Sequence, residues 1–270
     1  MIHRNKIPVS NYQLLLVLYY YTSPLLRFKM TDMSEKCCDA TEILFCSGNV
    51  GKYEHLVLNT NHINSVKIIQ NSDINIVEPQ MNTIQEIAMY KAEYAHKKLM
   101  KPVIVQDSGL IIKELKDFPG PYTKYVSQTI GCKGILRLLE GVKDRSCAFD
   151  GCLVFIDEKG KNHVFNEPHE NKYWGKIAVP KDVEKILGES IVQKQEDSCN
   201  DSLQLHKAAA SWSSGNPDEN FWTIFVPTDI LGLPAKIKTL AELSKCELTS
   251  YQKSRKSCFK EFAKWLEQNY

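Results

Sequence analysis

Three short segments of the chain combine residue types that could act on a phosphorylated ligand. The first is the loop 47–52, which reads Ser-Gly-Asn-Val-Gly-Lys, and the other two contribute the carboxylates of Glu78 and Asp107. Carboxylates repel an anionic phosphate unless a metal intervenes, and Mg²⁺ is typically held by one or two carboxylates together with substrate phosphates. Together the segments predict a site for Mg²⁺ and a nucleotide or another polyphosphate.

The loop 47–52 connects an apolar run, Ile43–Cys46, to a segment that reads as helix, Tyr53–Leu58. A strand, a glycine-containing loop and a helix direct backbone N–H groups and the positive end of a helix dipole towards an anion. Lys52 adds a point charge. The loop is not a Walker A motif, which needs four residues between its glycine and its Gly-Lys, followed by Ser or Thr. Taken alone, it fits an ordinary turn between strand and helix equally well.

Each of the two carboxylates is predicted to stand at the end of a strand. Asp107 follows a buried apolar run, and a carboxylate with a glycine nearby can face a ligand that approaches the backbone closely. Glu78 follows the strand-like segment Asp73–Val77, which Pro79 ends because proline cannot donate to a β-ladder. Each also has an ordinary explanation, since Asp-Ser-Gly at 107–109 is a common turn and a glutamate at a strand end is usually solvated.

Length and composition indicate one large α/β domain, or one domain with tails. The chain has 270 residues, of which 43% are hydrophobic and 24% charged, so it can bury a sizeable core. The 34 basic and 32 acidic side chains leave a net charge of +2, which gives no indication of a nucleic-acid surface. Its nine cysteines are scattered without a Cys-x-x-Cys pair, so free thiols in the cytoplasm are the simplest account.

Residues 1–40 are expected to form an extension that takes no part in the fold. Tyr12–Tyr21 is apolar after a basic start, but it is short for a membrane span of roughly 20 residues. It resembles a signal peptide without a clear small-x-small cleavage site, so a targeting or anchoring role is the alternative. We expect no stable membrane association. Residues 41–270 are then the folded domain, with a polar surface insertion at about 188–220.

Periodicity predicts the elements that position the candidate residues. A capping box at Thr83 begins a helix that runs to about Leu99. Ala148–Ile156 is predicted as a strand followed by a hairpin turn, and Phe221–Val226 as a strand. The last helix, Tyr251–Gln268, has one apolar face and places Arg255 in its first turn, where an arginine opposes the helix dipole.

Together these segments resemble the inosine triphosphate pyrophosphatase family. The motifs that carry the resemblance follow the family's order and spacing, and they are Phe45–Lys52, the helix with Glu86 and Lys91-Ala92, Pro102–Leu110, Phe118–Tyr122 and Leu138–Gly141. The resemblance implies a two-lobed single α/β domain, with a long twisted mixed β-sheet flanked by helices and an active-site cleft between the lobes. It also implies hydrolysis of inosine, xanthosine and deoxyinosine triphosphates to the monophosphate and pyrophosphate.

The resemblance assigns a role to each candidate residue. The expected substrate contacts are Ser47, Gly48, Asn49, Lys52, Ser108 and Arg255. Glu78 corresponds to the family's metal-binding glutamate, and Asp107 to its catalytic acid, which binds Mg²⁺ and accepts a proton. The implied partners are a nucleoside triphosphate and a second copy of the chain in a homodimer, and no nucleic acid is expected.

The segments with which the family reads its purine are altered in this sequence. Glu219–Thr223 replaces a Phe-Gly-Tyr/Trp-Asp-Pro motif, and Lys253-Ser254-Arg255 replaces Ser-His-Arg. Our first hypothesis is a Mg²⁺-dependent pyrophosphatase for inosine- or xanthosine-type nucleotides, with altered or broadened base choice. A site that recognises its substrate by buried hydrogen bonds rejects bases that cannot form them, so loss of the donors should relax or change the base that is accepted. One alternative is a family member that binds nucleotide or has a structural role without catalysis. Another is a pyrophosphatase for a pyrimidine or modified base.

Overall fold

A computed structural model describes residues 40–168, 172–177, 217–227 and 239–270 of the chain. The described strands and helices belong to the compact unit Thr41–Tyr270. The predictions for residues 1–39, and for most of the polar stretch 188–220, lie outside the described residues. Within the described part of the chain, no helix is both long and apolar enough to cross a membrane.

The described strands form one mixed β-sheet. They are β1 (Thr41–Cys46), β2 (Val66–Asn71), β3 (Val103–Ile112), β4 (Ser146–Ile156), β5 (Asn162–Asn166), β6 (Gly175–Ile177) and β7 (Phe225–Pro227). Their order is β2-β1-β3-β4-β6-β7, and β5 pairs with β4. Strand β1 is parallel to β2 and β3, whereas β4 is antiparallel to β3, β5 and β6, and β6 is antiparallel to β7.

Helices flank this sheet on both faces. They are α1 (Val50–Thr60), α2 (Ile84–Leu99), α3 (Thr123–Thr129), α4 (Gly131–Leu138), α5 (Lys245–Ser254) and α6 (Cys258–Asn269). The predicted capping box of α2 is present, since Thr83 and Glu86 each accept a hydrogen bond from the other's backbone N–H. The predicted α/β class and mixed sheet are confirmed.

Alternating side chains on the central strands fill the core on both faces of the sheet. Ile104 and Phe155 face α1 and α6, while Val103 and Val105 face the alanines of α2. Because side chains of a strand alternate between faces, both faces of β3 are buried. A third apolar cluster, built around Leu110, Ile135 and Phe225 among others, lies at the other end of β3 and β4 and forms the second lobe.

The predicted strand Asp73–Val77 is wrong. These residues are described, but none of them pairs with a strand. Ile74 and Ile76 instead pack beside the alanines of α2. The alternation of apolar and polar residues at 73–77 therefore reflects the burial of one side of an irregular segment. The packing of Ile74 and Ile76 also holds the loop that carries Glu78 beside the sheet.

The position predicted for Asp107 at a strand end is also wrong. Strand β4 pairs with β3 along its whole length, from Val103 opposite Ile156 to Ile112 opposite Cys147. Asp-Ser-Gly at 107–109 therefore continues the ladder, because each residue has a partner on β4. Asp107 therefore lies in the middle of the strand, and the residues before and after it on β3 are paired with β4.

Two predicted elements near the carboxyl end are divided in the structure. Phe221–Thr223 is a 3₁₀ turn, and the strand begins only at Phe225. The predicted last helix is two helices, because the side chain of Ser257 accepts a hydrogen bond from Lys260 N and starts α6 anew. Arg255 lies between them in an extended conformation (φ −68°, ψ 139°), so it does not oppose a helix dipole.

The apolar face predicted for the last helix is present on α6. Its buried residues are Cys258, Phe259, Phe262, Ala263 and Leu266. All of these except Ala263 pack on β1 and β4 in the same cluster as α1. This packing joins the carboxyl-terminal helix to the strand that precedes the loop 47–52.

Substitution of Gly109 tests how closely β3 packs against the segment 120–123. A methyl group at Gly109 would collide with the backbone oxygen of Gly120 and lie 2.8 Å from Thr123 Oγ1. We expect Gly109→Ala to lower the free energy of unfolding by about 1 to 3 kcal/mol, as overpacking usually does. Denaturant unfolding would measure this change. Gly48→Ala is the control, since nothing lies within 4 Å of its added carbon, and equal losses in both variants would contradict the contact.

Candidate active site

A cleft of about 630 Å³ lies beside the middle of β3 and gathers most of the predicted site residues. The predicted residues on its walls are Ser47, Gly48, Asn49, Lys52, Glu78, Asp107 and Ser108. Arg255 is not among its lining residues and instead lines a smaller cavity of about 80 Å³. The two spaces share five residues on their walls, which are Lys52, Gln106, Ser108, Phe149 and Trp222.

The loop 47–52 folds into the amino-terminal cap of α1. Asn49 Oδ1 accepts a hydrogen bond of 2.9 Å from Lys52 N, and Asn49 N donates to Ser47 Oγ at 3.1 Å. Gln70 Nε2 on β2 donates to Ser47 O at 2.9 Å and ties the loop to the sheet. The first turn of α1 carries no acidic residue, so its positive end faces the cleft uncompensated by a side-chain carboxylate.

Lys52 reaches from this cap to the middle of β3. Its Nζ donates a hydrogen bond of 3.2 Å to Gln106 O and lies 4.0 Å from Asp107 Oδ1. Burial lowers the pKa of Lys52 below its ordinary 10.5, and the charge of Asp107 opposes that shift only in part. The ammonium group is thus a buried charge close to the candidate catalytic carboxylate.

Lys91 on α2 is a charged group of the site that sequence reasoning did not assign. Its Nζ lies 2.5 Å from Glu78 Oε1 and 3.6 Å from Asp107 Oδ1, so one ammonium joins the two carboxylates. Burial by itself raises the pKa of Glu78, but hydrogen bonds and charge from Lys91 and Lys124 outweigh it and lower the pKa. The Lys-Ala pair at 91–92 is one of the motifs that carry the family resemblance, and this was the one sequence feature that could have pointed to Lys91 as a site residue.

The donor set of the cleft fits a divalent cation. Among the residues that the structure describes, no three His, Cys, Asp or Glu side chains are grouped closely enough to hold a metal by themselves. Glu78 and Asp107 nevertheless converge on one cation, the Lys91 ammonium. Two carboxylates and the oxygens of a bound polyphosphate are the ligand set that Mg²⁺ takes. Glu78 and Asp107 are therefore suited to hold Mg²⁺ only when phosphate supplies the remaining ligands.

The altered segment 219–223 lies on the wall of this cleft. Its residues Glu219 to Trp222 line the large cleft, and Trp222 also lines the small cavity. Pro121 and Tyr122 of the Phe-Pro-Gly-Pro-Tyr corner line the large cleft as well. Within this altered segment, Trp222 thus stands at the border between the two spaces.

Comparison with known proteins identifies the family. The model of the Ham1 family matches residues 43–188, which is more than half of the chain. The chain belongs to the Ham1 family. A relative in Methanosarcina mazei, named dITP/XTP pyrophosphatase, is 36% identical over 131 residues, which cover 48% of this chain and 70% of that protein. The predicted resemblance to inosine triphosphate pyrophosphatases is confirmed.

Two further likenesses agree with this membership. A dITP/XTP pyrophosphatase from Methanopyrus kandleri is 40% identical over 126 residues, and the match spans 46% of this chain but only 65% of that protein. A solved structure of a HAM1 protein from Coxiella burnetii has a TM-score of 0.56 and 19% identity, and it covers 84% of this chain and 99% of its own. At that identity, the structural likeness concerns the Ham1 fold alone.

The ion pairs of Lys91 predict a pH-dependent contribution to stability. Lys91→Met should lower the free energy of unfolding at pH 7 by about 1 kcal/mol, a value reduced for the solvent that reaches Glu78. Because Lys91 depresses the pKa of Glu78, this contribution is full above pH 4.5 and is lost as pH falls through the lowered pKa of the folded state. Urea unfolding at several pH values would measure it.

Lys264→Met is the matched control for this measurement. Lys264 pairs with Glu261 at 2.8 Å, but its side chain is 64% exposed, compared with 17% for Lys91. We expect little effect of this control at any pH. A loss in Lys91→Met that does not change with pH would contradict the coupling to Glu78.

Proposed function

We propose that this Ham1-family chain hydrolyses nucleoside triphosphates to the monophosphate and pyrophosphate. The observation that carries the proposal is the convergence of two carboxylates and two lysines at the amino terminus of α1: Lys52 and Lys91 both approach Asp107, and Lys91 also approaches Glu78. A protein with a purely structural role has no need of buried lysines and carboxylates around an open cleft. The names of the relatives, dITP/XTP pyrophosphatase, support the same reaction.

Binding of the triphosphate follows from the charges on the cleft wall. The N–H groups at the start of α1 and the Lys52 ammonium face the same space, and both attract phosphate oxygens. Ser47 and Ser108 line that space and can donate hydroxyl hydrogen bonds to the substrate. When phosphate binds, Lys91 can move from the carboxylates to a phosphate oxygen, since its side chain is flexible.

Hydrolysis requires a water oriented for attack on the α-phosphorus. Asp107 accepts one proton from this water as its oxygen bonds to phosphorus, and the bond to the leaving pyrophosphate oxygen breaks. Glu78 and Asp107 would hold Mg²⁺, which when bound neutralises charge on the phosphates. Lys52 and Lys91 stabilise the negative charge that develops on the transferred and leaving groups.

The preferred base is proposed to be of the inosine or xanthosine type, as the names of the relatives suggest. The alternative is a nucleotide-binding protein without catalysis, which the altered segment 219–223 favours because it lines the cleft. A homodimer is also proposed. The exposed side chain of Phe118, which is not among the lining residues of the cleft, could be covered by a second copy. We also propose that the protein acts in the cytoplasm.

Replacement of Asp107 tests the catalytic assignment. We expect Asp107→Asn to lower kcat for pyrophosphate release from inosine triphosphate by about 10² to 10⁴-fold, because an amide cannot accept the proton. The assay uses purified protein with Mg²⁺ and a panel of nucleoside triphosphates. Asp144→Asn is the control, since Asp144 pairs with Lys113 outside the cleft. Binding without release from any triphosphate in the unchanged protein would favour the non-catalytic alternative.

The lowered pKa of Lys52 predicts an early alkaline decline in activity. As pH rises through that pKa, the ammonium is lost and phosphate is attracted less, so kcat/KM should fall at a pH below 10.5. Lys52→Arg should move the decline to higher pH, because a guanidinium stays protonated. Lys264→Arg, at an exposed position, should leave the profile unchanged. A decline at the same pH in Lys52→Arg would assign the titration to another group.

A further inference from the structure

The segment Phe118–Thr123, which we call the corner segment, covers the edge of β3 that does not face β4. Strand β1 pairs with that edge only at residues 103–104, so the rest of the edge is left for another segment to cover. Pro119 forms a β-bridge with Ile111 there. The corner segment therefore continues the cover of β3 on the far side of Asp107.

Close contacts fix the corner segment to β3 two residues after Asp107. Gly120 O packs so closely on Gly109 that no side chain would fit there. Thr123 Oγ1 accepts a hydrogen bond of 2.8 Å from Leu110 N and donates one of 2.6 Å to Gly120 O. The corner segment and the candidate catalytic carboxylate are thus parts of one packed unit.

The corner segment also forms part of the cleft wall. Pro121, Tyr122 and Thr123 line the cleft, as does Lys124 directly after them. Lys124 Nζ lies 3.3 Å from Glu78 Oε2, so an ion pair joins this wall to the loop that carries Glu78. A displacement of the corner segment would therefore change both the shape of the cleft and the distances between its charges.

The corner segment begins after a turn whose backbone conformation is unfavourable for side chains. Lys116 and Asp117 have φ angles of 53° and 67°, in the left-handed region that favours glycine. Aspartate tolerates this region better than most residues, but glycine adopts it without the steric cost. Aspartate is therefore less favourable than glycine at position 117, unless its carboxylate makes an interaction that compensates.

Two side chains from the segment before β6 hold the carboxylate of Asp117. Tyr173 Oη donates a hydrogen bond of 2.6 Å to its Oδ1, and Lys172 Nζ lies 2.6 Å from its Oδ2. Burial, and then the hydrogen bond to Asp117, raise the pKa of Tyr173 above its ordinary 10, so the hydroxyl keeps its proton near neutral pH. Lys172 contributes less, because its side chain is 47% exposed and exposed ion pairs are weak.

These three side chains lie outside the cleft. Asp117, Lys172 and Tyr173 are not among the described residues that line it. Lys172 and Tyr173 come just before β6, which pairs with β4 at residues 146–147. Asp117 thus fixes the start of the corner segment to the sheet, and the contacts with β3 fix the rest of it. Any effect of Asp117 on a ligand must pass through the corner segment.

We propose that Asp117 is a positioning residue of the cleft, where its carboxylate, held by Tyr173, fixes the corner segment against β3 beside Asp107. Asp117 does not touch the substrate, and its part is to keep Asp107 and Lys124 at the distances that the reaction needs. Small displacements of reacting groups lower rates strongly, even when the substituted residue lies far from the chemistry. This inference rests on the proposed function, and it extends the functional residues to a turn outside the cleft.

Substitutions at Asp117 separate its carboxylate from its backbone conformation. Asp117→Gly suits the turn but removes the carboxylate, whereas Asp117→Asn keeps an acceptor for Tyr173 and loses only the charge. We expect Asp117→Gly to lower kcat/KM for pyrophosphate release from inosine triphosphate with Mg²⁺ about tenfold, mainly through kcat. Asp117→Asn should stay within about twofold of the unchanged protein, because an exposed ion pair contributes little. A role in the turn alone predicts the opposite order, with glycine as the better substitute.

Tyr173→Phe tests whether the carboxylate acts through this one hydrogen bond. The variant should reproduce the loss in Asp117→Gly, and it should add little to that loss in the double variant. Lys113→Met is the matched control, since Lys113 pairs with Asp144 at 2.8 Å and is 50% exposed, close to the exposure of Lys172. This control should leave kcat and KM unchanged.

Hydrogen exchange tests the same contact in the ligand-free protein and does not depend on hydrolysis. We expect Asp117→Gly to speed amide exchange in residues 118–125 about fivefold, because fewer contacts then hold that segment, and to leave exchange in α2 unchanged. Mass spectrometry of peptic fragments would measure both rates.

The results distinguish this inference from the proposed function. Unchanged kinetics in Asp117→Gly, a larger loss in Asp117→Asn than in Asp117→Gly, or additive effects of Asp117→Gly and Tyr173→Phe would overturn the inference. Absence of pyrophosphate release from every triphosphate in the unchanged protein would overturn the proposed function. Exchange would then decide the inference, since faster exchange in residues 118–125 supports it and unchanged exchange overturns it.

Discussion

The charge balance between Asp107, Glu78 and the two lysines is the constraint on which the rest of the cleft depends. Asp107 and both lysines have side chains less than one-fifth exposed, and Glu78 is 38% exposed. Charges removed from water must be paired, or they destabilise the fold. Lys52 and Lys91 provide that pairing in the structure as it stands. The two lysines also attract phosphate, and the two carboxylates attract its cation. The ion pairs that stabilise the fold therefore hold in place the groups that would bind a ligand.

The fold holds these four charges on different elements. Asp107 lies in the centre of β3, which β4 pairs along its whole length. Lys52 comes from the first turn of α1 and Lys91 from the middle of α2, and these helices pack on opposite faces of the sheet. Glu78 stands in a loop next to α2. A small shift of any of these elements would change the distances between the charges, and the dense packing on both faces of β3 opposes such shifts.

The site has two ends with different chemistry. The large cleft is polar and is built from the cap of α1 and the middle of β3, while the small cavity is largely aromatic and is closed by Glu167 and Arg255. Gln106 belongs to both, since its backbone oxygen accepts from Lys52 and its side chain faces the small cavity. Departures of the sequence from the family pattern affect the wall of the large cleft, where Glu219 to Trp222 lie, and its border with the small cavity at Trp222. The loop 47–52, Glu78 and Asp107 keep the family pattern.

The sequence by itself determined the features that local interactions control. The capping box at Thr83, the buried run of β3, the loop 47–52 and the apolar face of α6 are all encoded within a few residues, because caps and side-chain alternation act over one or two turns. Family motifs in register also sufficed for the fold class. Only the tertiary structure decided that Asp107 lies within a strand, that Lys91 joins two carboxylates, and that Arg255 pairs with Glu167. These depend on β4, α2 and the segment after β5 packing against residues distant in the chain, and no local pattern encodes the distance between such groups.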